Sequence, residues 1–316
     1  MKTFDYQLVK DPTYFSDGRV AAHSDHRCFA SREAMELGED SFRFCLNGLW
    51  KFHYAKNYDS TVPGFEKEDY CCRAWDDIRV PAHIQMEGYD APQYANVQYP
   101  WEGHEELKPG QIPTRFNPVA SYVKYFEVPE NMKGKPLYIS FQGAESGIAV
   151  WLNGKFVGYS EDSFTPSEFE LTPYLKDGEN KLAAQVFKWT SSSWCEDQDF
   201  FRFSGIYRDV TLTVSGDIHV ADEGTYVTTP NLEEEQNGDV TVHVETDVKN
   251  ERAESGTVTV RTTILNDQGE VVSKEAGEKE VTVGAEKEVT AEQDVVVNKP
   301  ELWDCDNPNL YYVQTE

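Results

Sequence analysis

The 316 residues are short of almost everything that would place a chain at a membrane, on a nucleic acid or around a metal. Positive charge is scarce: 29 Lys and Arg stand against 56 Asp and Glu, a formal net charge of −27. Nucleic acid and anionic bilayers would repel such a surface. The imbalance is steepest after residue 215, where acids outnumber bases more than threefold, as on a solvated face. No apolar run approaches the ~20 residues that span a bilayer. The opening Met1-Lys2-Thr3-Phe4-Asp5-Tyr6 has no apolar stretch of signal-peptide length, so a cytoplasmic protein is expected. Six cysteines, at 28, 45, 71, 72, 195 and 305, form no CxxC, and no histidine pair stands at zinc-finger spacing. Cys71-Cys72 is a bare doublet, and all six are expected as free thiols of a reducing compartment.

Free-standing catalytic signatures are missing too. Gly143-Ala144-Glu145-Ser146-Gly147 carries its serine one place too late for a nucleophile elbow. There is no GxGxxG, no P-loop and no HExxH. His23-Ser24-Asp25-His26 invites a metal, but on an irregular arm its spacing fixes no geometry. Long segments of 3.6-residue period are absent, so helices are not the organising element.

What is present is aromatic and β-forming. Aromatics make up 13% and hydrophobic residues 39%, enough for packed cores. Residues 1–41 look irregular, with one short helix possible over 31–37. From residue 42, short runs punctuated by Gly, Pro and Asn follow one another, at 121–128, 137–142, 148–152, 181–188 and 208–214. These are strand signals at sandwich spacing. Asn153-Gly154 between 149–152 and 155–159 predicts a two-residue hairpin, because Asn-Gly supplies the two positive φ angles of a type I′ turn. Near 215 the texture changes to Val, Thr and Glu with few aromatics. Period-two runs at 239–248, 256–265 and 287–297 predict an immunoglobulin-like β-sandwich. Such a sandwich needs about seven strands. Only five or six are found here, and the run 310–315 looks like a strand cut short. The expected class is all-β: an irregular arm (1–41), a jelly-roll β-sandwich (42–215) and an incomplete immunoglobulin-like β-sandwich (216–316).

Two segments have unusual chemistry. Ser191-Ser192-Ser193-Trp194-Cys195-Glu196-Asp197-Gln198-Asp199-Phe200-Phe201-Arg202-Phe203 sets three acids between bulky aromatics, which is costly unless each acid has a partner. A carboxylate beside an aromatic platform suits a polyol, with its hydroxyl donors and apolar C–H face. The bland alternative is a loop whose acids are solvated or bound to backbone N–H groups. Gly88-Tyr89-Asp90-Ala91-Pro92-Gln93-Tyr94-Ala95-Asn96-Val97-Gln98-Tyr99-Pro100-Trp101 combines amides with aromatics. Its plain interpretation is a packed crossover of the jelly roll.

Together the motifs resemble glycoside hydrolase family 2, and within it the β-galactosidases. The resemblance runs through Leu46-Asn47-Gly48-Leu49-Trp50-Lys51-Phe52, Val80-Pro81-Ala82-His83-Ile84-Gln85 with the loop after it, the 151–159 hairpin, Pro166-Ser167-Glu168-Phe169, and Ser204-Gly205-Ile206-Tyr207-Arg208-Asp209-Val210. Its strongest element is Glu196-Asp197-Gln198-Asp199, which separates the β-galactosidases from β-glucuronidases and β-mannosidases. The resemblance implies a full enzyme whose (β/α)8 barrel carries two glutamates for retaining hydrolysis. It implies that Asn96 contacts the galactosyl group and that Asp199 contacts it together with a monovalent cation. Na+ or K+ and Mg2+ are expected in the full enzyme, with none at full coordination in this chain. Galactosides such as lactose are the implied substrates, and the full enzyme is expected to be oligomeric. The barrel motifs do not occur in these residues. The chain is therefore expected to be silent alone, needing a missing C-terminal portion or a complementing chain. An autonomous carbohydrate-binding module is the alternative. If the resemblance holds, Asn96 and Asp199 lie within roughly 10 Å on one face, a span that ordered water can bridge.

Overall fold

The computed structural model describes residues 2–23, 27–40, 42–196, 199–234 and 238–316. Strands dominate, and the chain forms two compact units, one of residues 1–22 and 28–214, the other of residues 215–316 with the short segment 23–27. No helix is long and apolar enough to cross a membrane among the described residues.

The first unit is a sandwich of unequal sheets. Seven antiparallel strands run in the order Ser16–Asp17, Lys155–Glu161, Gly147–Leu152, Glu179–Phe187, Val119–Glu127, Gly48–Ala55, Asp76–Val80. Facing them are Ser167–Glu170, Leu137–Phe141, Val210–Val214 and Arg43–Cys45. Trp50, Phe52, Tyr122, Phe141, Phe169 and Leu182 fill the core between the sheets. A second aromatic cluster, including Tyr6, Phe65, Trp151, Phe156, Tyr159 and Phe187, covers the outer face of the larger sheet.

That second layer explains why alternation is weak in the central strands. Every residue of Gly147–Leu152 is buried, and so is all of Glu179–Phe187 after its first residue. A strand covered on both faces shows a continuous apolar run instead of period two. The covering material includes the N-terminal arm, which has little regular structure but is not detached. Phe4 packs on Trp151, Phe156, Tyr159 and Phe187. Ser16–Asp17 adds an edge strand. Gly158 permits that addition, since a Cβ there would lie 2.5 Å from the Asp17 carbonyl oxygen and 2.6 Å from the Phe169 ring. The helix expected over 31–37 forms at Arg32–Leu37, capped by Ser31 and ended by Gly38 at φ +70°. The Asn153-Gly154 hairpin has φ +51° and +77°, the type I′ signature. Its Asn153 side chain also donates to the Tyr174 carbonyl and accepts from the Lys181 N–H.

The second unit is thinner. Ile218–Thr228, Asp239–Asn250 and Glu288–Asn298 form one sheet; Gly277–Val283, Gly256–Leu265 and Tyr312–Thr315 form the other. Asp239–Asn250 alternates strictly, every second residue buried. Its core is two small groups: Val242, Val244, Ile264, Val295 and Val297, then Val248, Val260, Val281, Val283 and Ala291.

Candidate functional site

The two chemically unusual loops meet in the first unit. Gln93–Ala95 pairs antiparallel with Phe200–Arg202, with Phe200 opposite Ala95 and Phe201 opposite Tyr94. The next positions in that register are Asn96 and Asp199. Side chains two apart on a strand share a face. Tyr94, Asn96, Asp199 and Phe201 therefore stand on one side of this ribbon, and all four are exposed. Ala95 and Arg202 are buried on the other side.

The Tyr94 hydroxyl joins the pair. It donates to Asp199 Oδ1 at 2.5 Å. That bond raises the Tyr94 pKa above its ordinary value, while the nearby Asn96 amide opposes the rise. Two loops about a hundred positions apart are thus joined by one hydrogen bond, with Asn96 on the same face. Sequence reasoning missed Tyr94, although a signal existed: it lies two residues before Asn96, the spacing that puts two side chains on one face if the crossover runs extended. Phe201 packs against Tyr94 with centroids 5.5 Å apart, which gives the polar trio an aromatic flank.

The ribbon is held by buried polar groups at its roots. Lys188, entering the second loop, pairs with Asp90, entering the first, at 2.6 Å; both side chains are almost wholly buried. Gln85 donates to Asp90 Oδ2 and to Ser204 Oγ, and accepts from the Ser204 N–H. Entry and exit of the second loop are thereby tied to the start of the first. Further out, Trp194 packs against both members of the stacked Tyr99–Trp101 pair, with centroids 4.6 and 4.9 Å away. Its indole N–H donates to the Gln111 carbonyl at 2.7 Å.

The acids of the second loop part company. Glu196 turns inward: one oxygen accepts from Ser146 Oγ at 2.9 Å, the other from Ser163 Oγ at 2.8 Å. Asp199 turns outward. Asp197 and Gln198 lie outside the described residues, as do Ser24, Asp25 and His26 of the 23–26 motif. Beneath Glu196 sits Glu145, 8% exposed, its carboxyl pushed up to about 8 first by burial and then by the Glu196 charge, with Arg202 and Lys188 acting the other way. A raised carboxyl beside a second one is the pattern of a glycosidase acid and its partner. The setting argues against that role. Glu145 is enclosed, and both Glu196 oxygens are already occupied by serines. A glycosidic oxygen has no way to sit between them.

No three His, Cys, Asp or Glu side chains gather among the described residues. An Mg2+ held by several carboxylates therefore finds no ligand set in these residues. A monovalent cation fits better at the ribbon. The Asp199 carboxylate, the Tyr94 hydroxyl and the Asn96 amide carbonyl offer oxygens, the donors hard cations take. They are too few to fill a shell without further residues.

Comparison with known proteins gives a consistent result. The sugar binding domain of glycosyl hydrolases family 2 matches residues 44–215, and a further glycosyl hydrolases family 2 domain matches 218–316. A β-galactosidase of Halalkalibacterium halodurans is 44% identical over 98% of this chain, which spans 30% of that protein. A β-galactosidase of Clostridium acetobutylicum is 50% identical over 68% of this chain and 24% of its own length. A β-galactosidase large subunit of Latilactobacillus sakei is 35% identical over 98% of this chain, here 49% of the relative. Among solved structures, a β-glucuronidase of Bacteroides uniformis superposes with a TM-score of 0.67 over 86% of this chain and 30% of its own, at 24% identity. That likeness speaks to fold alone.

Proposed function

The chain belongs to glycosyl hydrolases family 2, and on that premise we propose that it works as the N-terminal, non-catalytic part of a β-galactosidase. It supports a barrel carried on the rest of the enzyme, in the same polypeptide or a complementing one, and lends Asn96 and Asp199 to the galactosyl pocket. The enzyme is cytoplasmic and acts on galactosides such as lactose. One juxtaposition carries the reading: Asp199, bonded to the Tyr94 hydroxyl, and Asn96, the next residue on the paired strand's register, stand on one exposed face with an aromatic flank.

The chemistry suits a sugar. The Asp199 carboxylate accepts from sugar hydroxyls. The Asn96 amide both donates and accepts. Tyr94 and Phe201 supply apolar surface for a C–H face. A bound Na+ or K+ would add positive charge against a sugar hydroxyl oxygen. Asp199 helps to hold that ion, and the remaining ligands come from outside these residues. Retaining hydrolysis needs two carboxyl groups about 5–5.5 Å apart around the scissile bond. Asp199 is an exposed ribbon carboxylate committed to Tyr94, so the chain alone has no turnover.

The test begins with the mass of the natural gene product and then measures its hydrolysis of a nitrophenyl galactoside. Asp199→Ala should raise KM about tenfold or more, as expected for losing a charged hydrogen-bond partner, and should blunt the response to Na+ or K+. An unchanged KM and an unchanged cation response would overturn the proposal. Tight galactose binding by the 316-residue chain alone would favour an autonomous binding module instead.

A further inference from the structure

Glu161 is among the most heavily solicited side chains of the first unit, and the sugar-contacting role does not use it. It ends the strand Lys155–Glu161 and is 4% exposed. Oε1 accepts from the Tyr159 hydroxyl at 2.6 Å. Oε2 accepts from Thr190 Oγ1 at 3.0 Å, Ser191 Oγ at 3.1 Å and the Ser192 N–H at 2.9 Å. Every partner is a donor, and burial raises its carboxyl pKa while the hydrogen bonds oppose the rise. Three of the four partners belong to the start of the loop that leads to Asp199. A few residues later Glu196 anchors the same segment to Ser146 and Ser163. The run 190–196 is thus clamped at its first turn by a strand carboxylate and at its end by its own.

We propose that Glu161 is a positioning residue for the galactoside and cation site: it fixes the first turn of the 190–196 loop, which sets where Trp194 packs and where Asp199 emerges. The proposal rests on the pocket reading above. The physical reason is that a short 3-10 turn leaves its first N–H groups without partners. Ser192 N–H is satisfied here by a carboxylate that the sheet holds rigid. Loss of Glu161 strands that N–H and the buried Tyr159 hydroxyl, leaves Thr190 Oγ1 with Ser192 Oγ at 2.8 Å and Ser191 Oγ with the Asp11 carbonyl at 3.4 Å, and the loop must move to satisfy the stranded groups. Glutamine should largely replace it. One amide oxygen can keep the fixed Ser192 N–H, and the amide NH2 can face a hydroxyl that rotates to accept. A simple structural cap would cost stability alone. A positioning residue also changes substrate affinity and the cation response.

The experiment compares Glu161→Ala, Glu161→Gln and Thr190→Val with Asp199→Ala. In the 316-residue chain, amide exchange of Ser192 should quicken about tenfold in Glu161→Ala and stay near wild type in Glu161→Gln. In the gene product, Glu161→Ala should raise the galactoside KM about tenfold, shift kcat less, and weaken the Na+ or K+ response. Thr190→Val, which removes one hydroxyl donor at nearly constant shape, should move the same quantities in the same direction by a smaller factor. It remains readable if Glu161→Ala does not fold. If KM and cation response stay at wild type in both while Asp199→Ala raises KM, this inference alone is overturned. If Asp199→Ala also changes nothing, the pocket reading falls and takes this inference with it.

Discussion

In the unit that ends at Val214, charge is inside. Glu145, Glu161, Lys181, Lys188 and Arg202 are all buried, and the Asp90 side chain with them. In the unit from Ser215 onward, the buried polar residues among the described ones are neutral: Thr246, Asn250, Thr262 and Gln293. Its ion pairs, such as Arg252–Asp217 and Arg261–Glu278, lie in the open. The contrast follows from how each unit makes its backbone. Long regular ladders, as in Asp239–Asn250 against Glu288–Asn298, satisfy their own N–H and C=O groups. Long irregular crossovers do not, and a buried irregular backbone has to be satisfied by side chains. Lys181 shows this directly: its ammonium donates to the carbonyls of Phe65, Lys67 and Tyr70, closing a loop that has no ladder. Buried charge therefore marks where the chain departs from regular structure, and in the first unit it also marks the root of the candidate site.

The sharpest way to break this comparison is to remove one buried charge and one exposed charge of the same kind. Lys188→Met leaves Asp90 buried with Gln85 as a hydrogen-bond partner but no countercharge. Removing one member of a buried pair costs about 3–5 kcal/mol, because the other charge is left uncompensated. Arg261→Ala, at a pair with both side chains half exposed, should cost no more than about 1 kcal/mol. Urea unfolding of the two variants reads the difference. A Lys188→Met cost below about 1 kcal/mol would show that the ion pair is not what ties the two loops.

Much of the fold was legible because period-two runs and turn residues speak locally. The Asn153-Gly154 turn and the strands of the second unit are of that kind. The double-sided burial of Gly147–Leu152 was not, since nothing in those residues announces that Phe4 and Tyr6 will return to cover them. At the site, Asn96 and Asp199 came from a family resemblance, while their meeting is a long-range pairing that spacing cannot reveal. Glu161 and Glu145 stayed invisible for a related reason. A glutamate that ends a strand looks like a solvated one until its partners, all distant in sequence, are known.

A second test uses pH. Glu145 has a folded pKa raised from 4.5 to about 8. Between those values the folded state binds the proton more tightly than the unfolded state. The stability this contributes is therefore full below about pH 4.5 and is lost as pH rises through about 8, with a slope up to roughly 1.4 kcal/mol per pH unit. Glu161 is raised in the same direction, so the informative quantity is the difference between wild type and Glu145→Gln. Thermal unfolding from pH 5.5 to 8 should show the wild type losing stability and the variant losing distinctly less. Parallel curves would mean that Glu145 does not titrate in this window.

The smallest expected effect belongs to the second unit and completes the contrast. His243 stands directly across the ladder from Asp294, with Nδ1 2.7 Å from its Oδ1, and Glu245 lies 3.6 Å from Nε2. The hydrogen bond to Asp294 is the first cause of its raised pKa, with the charges of Asp294, Glu245 and Glu292 acting in the same direction. Its sign matches that of Glu145: the contribution is full below the unfolded value of 6.5 and is lost as pH rises through the folded one. The two groups differ in what salt does to them. His243 sits on the solvated face, where a Debye length near 10 Å at 0.1 M salt screens its neighbours. Glu145 is enclosed, and its shift comes mainly from burial, which salt does not reverse. His243→Gln should therefore flatten a shallow pH dependence of the second unit at low ionic strength and do almost nothing at 0.5 M salt, a concentration at which the Debye length has shrunk well below ~10 Å. Proton NMR titration of the imidazole at both salt levels reads this directly. A His243 pKa that stays equally raised at high salt would place it with the enclosed groups, and the division of the molecule into buried and open charge would fail at that residue.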